Sequence, residues 1–201
     1  MPKQLIFVRH GETGHNKSKK FMNWANDIGS LSATGRAEAA QVGSRLKELK
    51  IHAMYTSDLK RTRETAEIIS TQIGIKPITT KGLRERNLGI FGDLTYDEIR
   101  TKWPEKAVKF LDHSDKDWNG LEGESLHDVH ARFRIFLKEL DKKHAAENVL
   151  LVTHSGVLYT VLRDLFNFFP QDSWMDVAHT SITILEKSGN TYTLKEFNKT
   201  E

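Results

Sequence analysis

Residues 5–13 are LIFVRHGET, an apolar run that ends directly on an arginine, a histidine and a glycine. Four consecutive apolar residues at 5–8 indicate a buried strand, and a near-continuous apolar strand is typical of a parallel sheet covered on both faces. Arg9 and His10 follow at its end. Either the strand meets water there, or it holds these two side chains at a site.

Strand-like and helix-like segments alternate along the rest of the chain. Strands are predicted over residues 5–8, 52–58, 75–80 and 149–153. The residues placed as helix caps or stops are Ser32 or Thr34, Asp58, Gly74 and Ser125. SITILE and TYTLKEF, separated by KSGN, predict a C-terminal β-hairpin. The pattern predicts an α/β fold with a mostly parallel central sheet and helices on both faces.

The length and composition favour one domain over residues 1–201. A hydrophobic content of 38% and a charged content of 28% suit a globular protein of this size. Regular periodicity fades between about residues 87 and 123. We expect this segment to be an excursion that lies over the active site.

Charge and cysteine content exclude several classes of function. Thirty basic against 27 acidic residues give a net charge of only +3, so no nucleic-acid partner is expected. The absence of cysteine excludes disulfides, thiol catalysis and cysteine-ligated zinc. The N-terminal apolar run is far too short for a signal segment, so we expect no membrane partner and a cytoplasmic location.

Basic side chains follow three of the predicted strands. Arg9 and His10 follow the first strand, Arg61 lies one helical turn after the second, and His154 directly follows VLLVT. Ligand sites in such sheets gather beyond the carboxyl ends of the strands. A strand that merely meets water explains one such residue, but not three strand ends at one edge.

Two arginines and two histidines at one place suit phosphoryl transfer. The planar guanidinium group matches phosphate oxygens, and a neutral imidazole nitrogen is a nucleophile toward phosphorus. Positioned cations stabilise the charge of the transition state, so neither a metal nor another cofactor is expected. A general acid must protonate the leaving group, and Glu85 in LRERNLG is the best candidate.

Five motifs carry a resemblance to a known family. RHGET with Asn16 downstream, SDLKRTRETA, LRERNLG, GES at 123–125 and LLVTHSG occur in this order between residues 5 and 156. The chain thereby resembles the histidine phosphatase superfamily, which includes the cofactor-dependent phosphoglycerate mutases. Among its members it is most similar to the small phosphatases.

The resemblance implies a role for each matching residue. It implies that His10 is the phosphorylated nucleophile, that Glu85 is the proton donor, and that Arg9, Arg61 and His154 form the phosphate pocket. It also implies that Asn16 contacts the phosphate. The other candidate phosphate- or substrate-binding residues are Gly11, Thr13, Arg86 and Ser155, of which Arg86 could equally be an ordinary loop charge.

Three classes of function stay open at this point. The expected function is hydrolysis of a small phosphorylated metabolite, with water as acceptor. The other two classes are a cofactor-dependent phosphoglycerate mutase and a silent module that binds phosphorylated ligands. Within the first class, a fructose-2,6-bisphosphatase-like activity is an alternative. The expected partner is a small phosphomonoester, and a homodimer is left open.

The other histidines are interpreted as surface or structural residues. They are His15, His52, His113, His144 and His179. His127 and His130, together with Glu124, have a spacing that could suit a metal, but the chain has no second such set. We therefore interpret them as part of a solvated helix face.

Overall fold

The structure of the chain is a computed structural model that describes residues 1–14, 20–22, 24, 29–111, 117, 119, 122–170 and 175–200. The strands are β1 (Gln4–Arg9), β2 (Ala53–Ser57), β3 (Pro77–Thr80), β4 (Asn148–Thr153), β5 (Ile182–Ser188) and β6 (Thr191–Lys199). The helices are α1 (Ala33–Leu46), α2 (Lys60–Ile73), α3 (Tyr96–Lys102), α4 (Pro104–Leu111), α5 (Leu126–Lys143) and α6 (Ser155–Thr160). A π-helical turn at Val161–Leu165 continues α6.

The described strands form one sheet in the order β3-β2-β4-β1-β5-β6. The four strands from β3 to β1 are parallel. The hairpin of β5 and β6 extends the sheet in antiparallel orientation beside β1. This arrangement confirms the predicted α/β fold with a mostly parallel sheet and a C-terminal hairpin. It also places the carboxyl ends of β1, β2 and β4 at one edge.

Helices cover both faces of the sheet, because successive side chains of a strand point to opposite sides. Leu5 and Phe7 of β1 belong to a cluster formed with α5 and α6. Ile6 and Val8 belong to a second cluster formed with α1 and α2. All four side chains are fully buried. This burial on both faces explains why the strand is apolar at every position from 5 to 8.

The segment of the chain between β3 and α5 forms a third and smaller hydrophobic cluster. Helices α3 and α4 pack around four buried residues, which we call the excursion cluster: Phe91, Ile99, Ala107 and Phe110. The sequence showed no regular periodicity here. Helices of seven and eight residues are too short to display a sustained repeat of 3.6 residues.

Side chains cap α1 and α5 at predicted positions. The Ser32 hydroxyl accepts a hydrogen bond from Gly35 N at 3.0 Å. The Ser125 hydroxyl accepts from Asp128 N at 3.1 Å, while the Asp128 carboxylate accepts from Ser125 N at 2.9 Å. This reciprocal pair is a capping box. Gly74 follows the last residue of α2 with a φ of 74°, a left-handed conformation that favours glycine.

The prediction that Asp58 caps α2 is wrong. The residue at the cap position is Leu59, which makes no side-chain capping hydrogen bond. Asp58 instead accepts two hydrogen bonds from Arg84, at 2.7 and 2.6 Å. A bidentate guanidinium–carboxylate pair is stronger than one bond to a backbone N–H. The pair fixes the segment that carries Glu85.

The length and hydropathy of the helices bear on membrane insertion. Within the described ranges, every helix is too short or too polar to cross a membrane.

Candidate active site

The carboxyl ends of the parallel strands bring four of the predicted site residues together. Arg9 ends β1 beside Thr153 of β4, and His10 N donates to Thr153 O at 3.0 Å. His154 follows β4, and its ring centroid lies 5.3 Å from that of His10. Arg61 reaches His10 from the first turn of α2. All four residues are at most 8% exposed. The strand β1 therefore does not simply end in solvent at Arg9 and His10.

The His10 ring is held in one orientation. Its Nδ1 lies 2.8 Å from the carbonyl oxygen of Gly11, so Nδ1 carries the proton and donates it. Nε2 then carries a lone pair, toward which Arg61 Nε donates at 3.3 Å. Gly11 N donates in turn to Thr65 Oγ1 at 3.1 Å, which ties the loop after β1 to α2. This tautomer makes Nε2 the nucleophilic nitrogen.

Burial and positive charge lower the pKa values of His10 and His154 well below the ordinary range of histidine. For both rings the largest cause is the loss of hydration, and the second is the charge of Arg61. Arg9 lowers both pKa values further. Both imidazoles are therefore neutral near pH 7, which is the state that a nucleophile needs.

This neutrality predicts a loss of stability in mild acid. The unfolded chain takes up protons on these histidines below about pH 6.5, whereas the folded chain does not. The free energy of unfolding therefore has its full value above about pH 6.5. It decreases as the pH drops from there toward the lower pKa values of the folded chain. Between about pH 7.5 and 5.5, we expect the two rings together to contribute a loss of about 2–3 kcal/mol. Urea unfolding at the two pH values measures it.

The His10→Ala variant isolates the contribution of one ring. Its stability should depend on pH less than that of the wild type, by about 1 kcal/mol over the same range. An equal dependence in both proteins would show that His10 titrates normally in the folded chain.

Arg9 is held by the segment that precedes β5. Its Nη1 donates to the carbonyl oxygen of Val177 and lies 3.4 Å from Asp176 Oδ1. Its Nε is buried and has no hydrogen-bond partner in the part of the chain that the structure describes. A guanidinium group only donates hydrogen bonds, so this nitrogen lacks an acceptor.

His179, interpreted from sequence as a surface or structural residue, lies beside the nucleophile. Its ring centroid is 5.7 Å from that of His10, and its Nε2 is buried without a hydrogen-bond partner among the described residues. Burial and the charge of Arg9 lower its pKa. The backbone places it there, because Thr180 N donates to Arg9 O at 3.1 Å just before β5 joins β1. The pairing of the hairpin with β1 brings His179 to the site, and no local sequence pattern indicates that pairing.

Buried nitrogens without a protein partner gather around His10. Within the described ranges they are Arg9 Nε, both ring nitrogens of His154 and His179 Nε2. An unpaired buried polar group costs about 1–3 kcal/mol. Arg9 Nε only donates, and each neutral imidazole has one N–H to donate. The partner that suits this place therefore has several acceptor oxygens.

Glu85 is fixed at the start of α6 by backbone hydrogen bonds. Its Oε1 accepts from Arg86 N at 2.9 Å and from Val157 N at 3.1 Å. Its Oε2 accepts from Gly156 N at 3.2 Å. The carboxyl group thereby takes the place of a helix cap, since the residue before α6 supplies none. Glu85 and His10 line the same cavity.

Arg132 of α5 holds the segment around Glu85, a role that no motif indicated. It donates to Gly82 O at 2.9 Å and to Glu85 O at 3.2 Å. Its guanidinium group pairs with Glu124 at 2.8 Å. Trp24 Nε1 also donates to Glu85 O, at 2.8 Å. These contacts fix the backbone of Glu85 independently of its carboxyl group.

The remaining predicted phosphate- and substrate-binding residues lie in different places. Arg86 and Ser155 line the cavity. Gly11 and Thr13 are buried and are not part of its lining. Asn16 lies outside the described residues.

The site opens into a cavity of about 410 Å³. The residues around the nucleophile that line it are Arg9, His10, Arg61 and Glu85. Apolar side chains form another part of the lining: Phe21, Met22, Leu88, Phe110 and Leu126. Its volume lies in the range of small-molecule sites.

Two other histidines are structural, as predicted. His144 lies 2.8 Å from the Tyr55 hydroxyl and 2.7 Å from a carboxylate oxygen of Glu147. His52 Nδ1 accepts from a backbone N–H at 3.0 Å. The histidines that lie outside the described residues are His15 and His113.

The possible metal set at the start of α5 is not formed. No group of His, Asp and Glu suited to a metal occurs in the described ranges. His127 is exposed and lies 2.7 Å from Asp117, as expected for a solvated face. The same prediction is wrong for His130, which is buried with its Nε2 3.3 Å from Asp164. A neighbouring carboxylate compensates for the loss of water around its ring.

Comparison with known proteins places the chain in a family. Residues 5–200 match the histidine phosphatase superfamily (branch 1). The chain is 34% identical to phosphoglycerate mutase-like protein 4 of Arabidopsis thaliana, over 92% of this chain and 88% of that one. It is 31% identical to the 2,3-bisphosphoglycerate-dependent phosphoglycerate mutase of Brucella anthropi, over 92% of both chains. A solved mycobacterial glucosyl-3-phosphoglycerate phosphatase has a TM-score of 0.86 at 25% identity, over 98% of this chain and 99% of that one.

The chain therefore belongs to the histidine phosphatase superfamily, and the resemblance carried by its five motifs is confirmed. The relatives include proteins named as mutases and one named as a phosphatase. Family membership by itself thus leaves the acceptor of the phosphoryl group undecided.

Proposed function

We propose that the chain is a phosphomonoester hydrolase that works through a phosphohistidine on His10. The observation that supports this most is the gathering of buried nitrogens on Arg9, His154 and His179 around a neutral His10, none of which has a hydrogen-bond partner among the described residues. A phosphate group offers acceptor oxygens to these donors. Arg9 and Arg61 balance its charge, so the proposed reaction uses no metal.

In the first step, His10 Nε2 forms a bond to phosphorus while the bond from phosphorus to the ester oxygen breaks. The departing oxygen takes a proton from Glu85 and leaves as an alcohol. Negative charge spreads over the equatorial phosphate oxygens, where Arg9 and Arg61 stabilise it. Glu85 enters this step in its acid form and leaves it as a carboxylate.

In the second step, water attacks phosphorus and the bond to His10 Nε2 breaks. Glu85, now a carboxylate, takes a proton from the attacking water and returns to its acid form. One water is consumed, and inorganic phosphate leaves with His10 neutral again. His179 and His154 supply neutral hydrogen-bonding groups to the phosphate in both steps.

A mutase is the second candidate. In a mutase, a hydroxyl group of a bound intermediate accepts the phosphoryl group in place of water. Two cations that line the cavity beyond the nucleophile, Lys20 and Arg86, favour this candidate, because a mutase must hold a second anionic group. We favour water because much of the remaining lining is apolar. A fructose-2,6-bisphosphatase-like activity would be the same hydrolysis on another substrate.

Phosphate release and phosphoglycerate isomerisation separate the two candidates. We expect steady release of inorganic phosphate from p-nitrophenyl phosphate in excess EDTA, because Arg9 and Arg61 supply the positive charge. We expect no 2-phosphoglycerate from 3-phosphoglycerate, with or without 2,3-bisphosphoglycerate. A phosphate assay and ³¹P NMR measure the two reactions. Isomerisation faster than phosphate release would establish a mutase, and a specific divalent ion that restores activity after chelation would contradict the metal-free mechanism.

A further inference from the structure

We propose that the substrate carries an apolar alkyl or aryl group on its phosphate, an inference that rests on the proposed phosphatase function. Beyond the nucleophile, the cavity presents five apolar side chains: Phe21, Met22, Leu88, Phe110 and Leu126. They line the same cavity as His10 and Glu85, so the group esterified to the phosphate meets them. Burial of apolar substrate surface against them favours binding.

We call these five apolar side chains the apolar wall of the cavity. Its aromatic side chains are held in place by packing. The ring of Phe110 lies edge-on to Phe21 at 5.1 Å and to Phe91 at 5.3 Å between centroids. Phe21 N donates to Leu94 O at 2.9 Å, and Phe21 O accepts from Asp93 N at 2.6 Å. The excursion thereby fixes Phe21 from both backbone groups. A wall fixed before binding loses little conformational entropy when it receives a ligand.

The charges of the lining favour a single anionic group on the substrate. Arg61 donates a hydrogen bond to His10, and Arg9 directly precedes His10 in the chain. Both arginines bind the phosphate group in the proposed reaction. Arg86 Nε donates to a backbone carbonyl oxygen at 2.7 Å, and Lys20 is exposed. Asp176, also in the lining, is negatively charged and would repel a second anion. A second carboxylate or phosphate on the substrate would also lose water against apolar side chains, which is unfavourable.

A series of n-alkyl phosphates tests the inference, since chain length changes while the chemistry of the leaving alkoxide stays nearly constant. We expect kcat/KM to rise from ethyl to butyl to hexyl phosphate, by at most about fourfold per added methylene group. Glycerol 3-phosphate should be a poorer substrate than butyl phosphate. A flat or falling series in an enzyme that hydrolyses ethyl phosphate overturns the apolar substrate class alone. No release from any ester overturns the proposed function, and this inference with it.

Variants of the wall provide a second readout. Leu88→Asn and Met22→Gln should each lower the ratio of the kcat/KM values for hexyl and ethyl phosphate, by about three- to tenfold. The matched control is Val108→Asn on α4, a residue that is 70% exposed and outside the cavity lining. It should leave the ratio unchanged. Met22→Gln keeps the test valid if Leu88→Asn fails to fold. Equal ratios in all four proteins overturn the proposal.

Discussion

Replacing His10 with alanine is expected to abolish turnover of every phosphomonoester, because the proposed covalent route loses its nucleophile. The expected loss exceeds about 10⁴-fold in kcat, since removal of a member of a nucleophilic constellation leaves only the residual effect of binding. The fold should persist, because the change removes a neutral buried ring and leaves the strand pairing of β1 intact. Rapid-quench labelling with a ³²P-labelled ester measures the intermediate directly. The wild type should yield an acid-labile, base-stable adduct.

His127→Ala is the matched control, since this histidine is exposed and lies outside the cavity lining. Both variants should retain the circular dichroism spectrum of the wild type, and only His10→Ala should lose the label. A label that survives in His10→Ala, or an adduct stable in acid, assigns the nucleophile to another residue.

Replacing Glu85 with glutamine is expected to slow hydrolysis of alkyl phosphates by about 10²–10⁴-fold, the usual contribution of general acid catalysis. The same variant should slow p-nitrophenyl phosphate far less, because a phenolate leaves with little help from a proton. The comparison of the two substrates separates loss of the proton donor from disturbance of the local structure. Both carboxylate oxygens accept backbone N–H groups, and the amide of glutamine would turn an NH₂ group toward one of these donors. That disturbance affects both substrates alike.

Asp176→Asn gives the contrast, because it removes the charge of the other carboxylate among the described residues that line the cavity. Asp176 faces Arg9 rather than the start of α6. Its replacement should therefore change the two substrates by similar factors. If Glu85→Gln also slows both substrates equally, Glu85 is a positioning residue and another group supplies the proton.

The sequence pattern predicts those parts of the fold whose causes are local. A strand buried on both faces needs an apolar run, so the sequence alone predicts β1 and β4 as strands. Ser32 and Ser125 cap helices through contacts three residues away, which spacing reveals. The pairing of β5 with β1 is a contact between distant segments, with no local signal. The sequence therefore predicts only a surface or structural residue at His179, although His179 lies beside His10.

The same limit applies to side chains that choose between partners. Asp58 precedes a helix in the manner of a cap, but Arg84, 26 residues later, offers it two charged hydrogen bonds. His130 lies on a helix with a charged face, but Asp164 of the π-helical turn after α6 lies against its ring. The strand-end residues Arg9 and His154 were predictable, because the carboxyl ends of parallel strands must meet at one edge.

The excursion cluster packs apart from the two clusters that hold the sheet. Among the described residues it has four buried side chains, far fewer than either of the others. Small packing units open locally at lower free energy than a central sheet does. The wall that contributes Phe110 to the cavity is thus the less stable side of the site, and the strand ends that hold His10 and His154 are the more stable side. Local opening of the wall would admit the ester and release the alcohol while the groups that act on phosphorus keep their positions. In the proposed reaction, exchange of ligands and chemistry at phosphorus would therefore belong to packing units of different local stability.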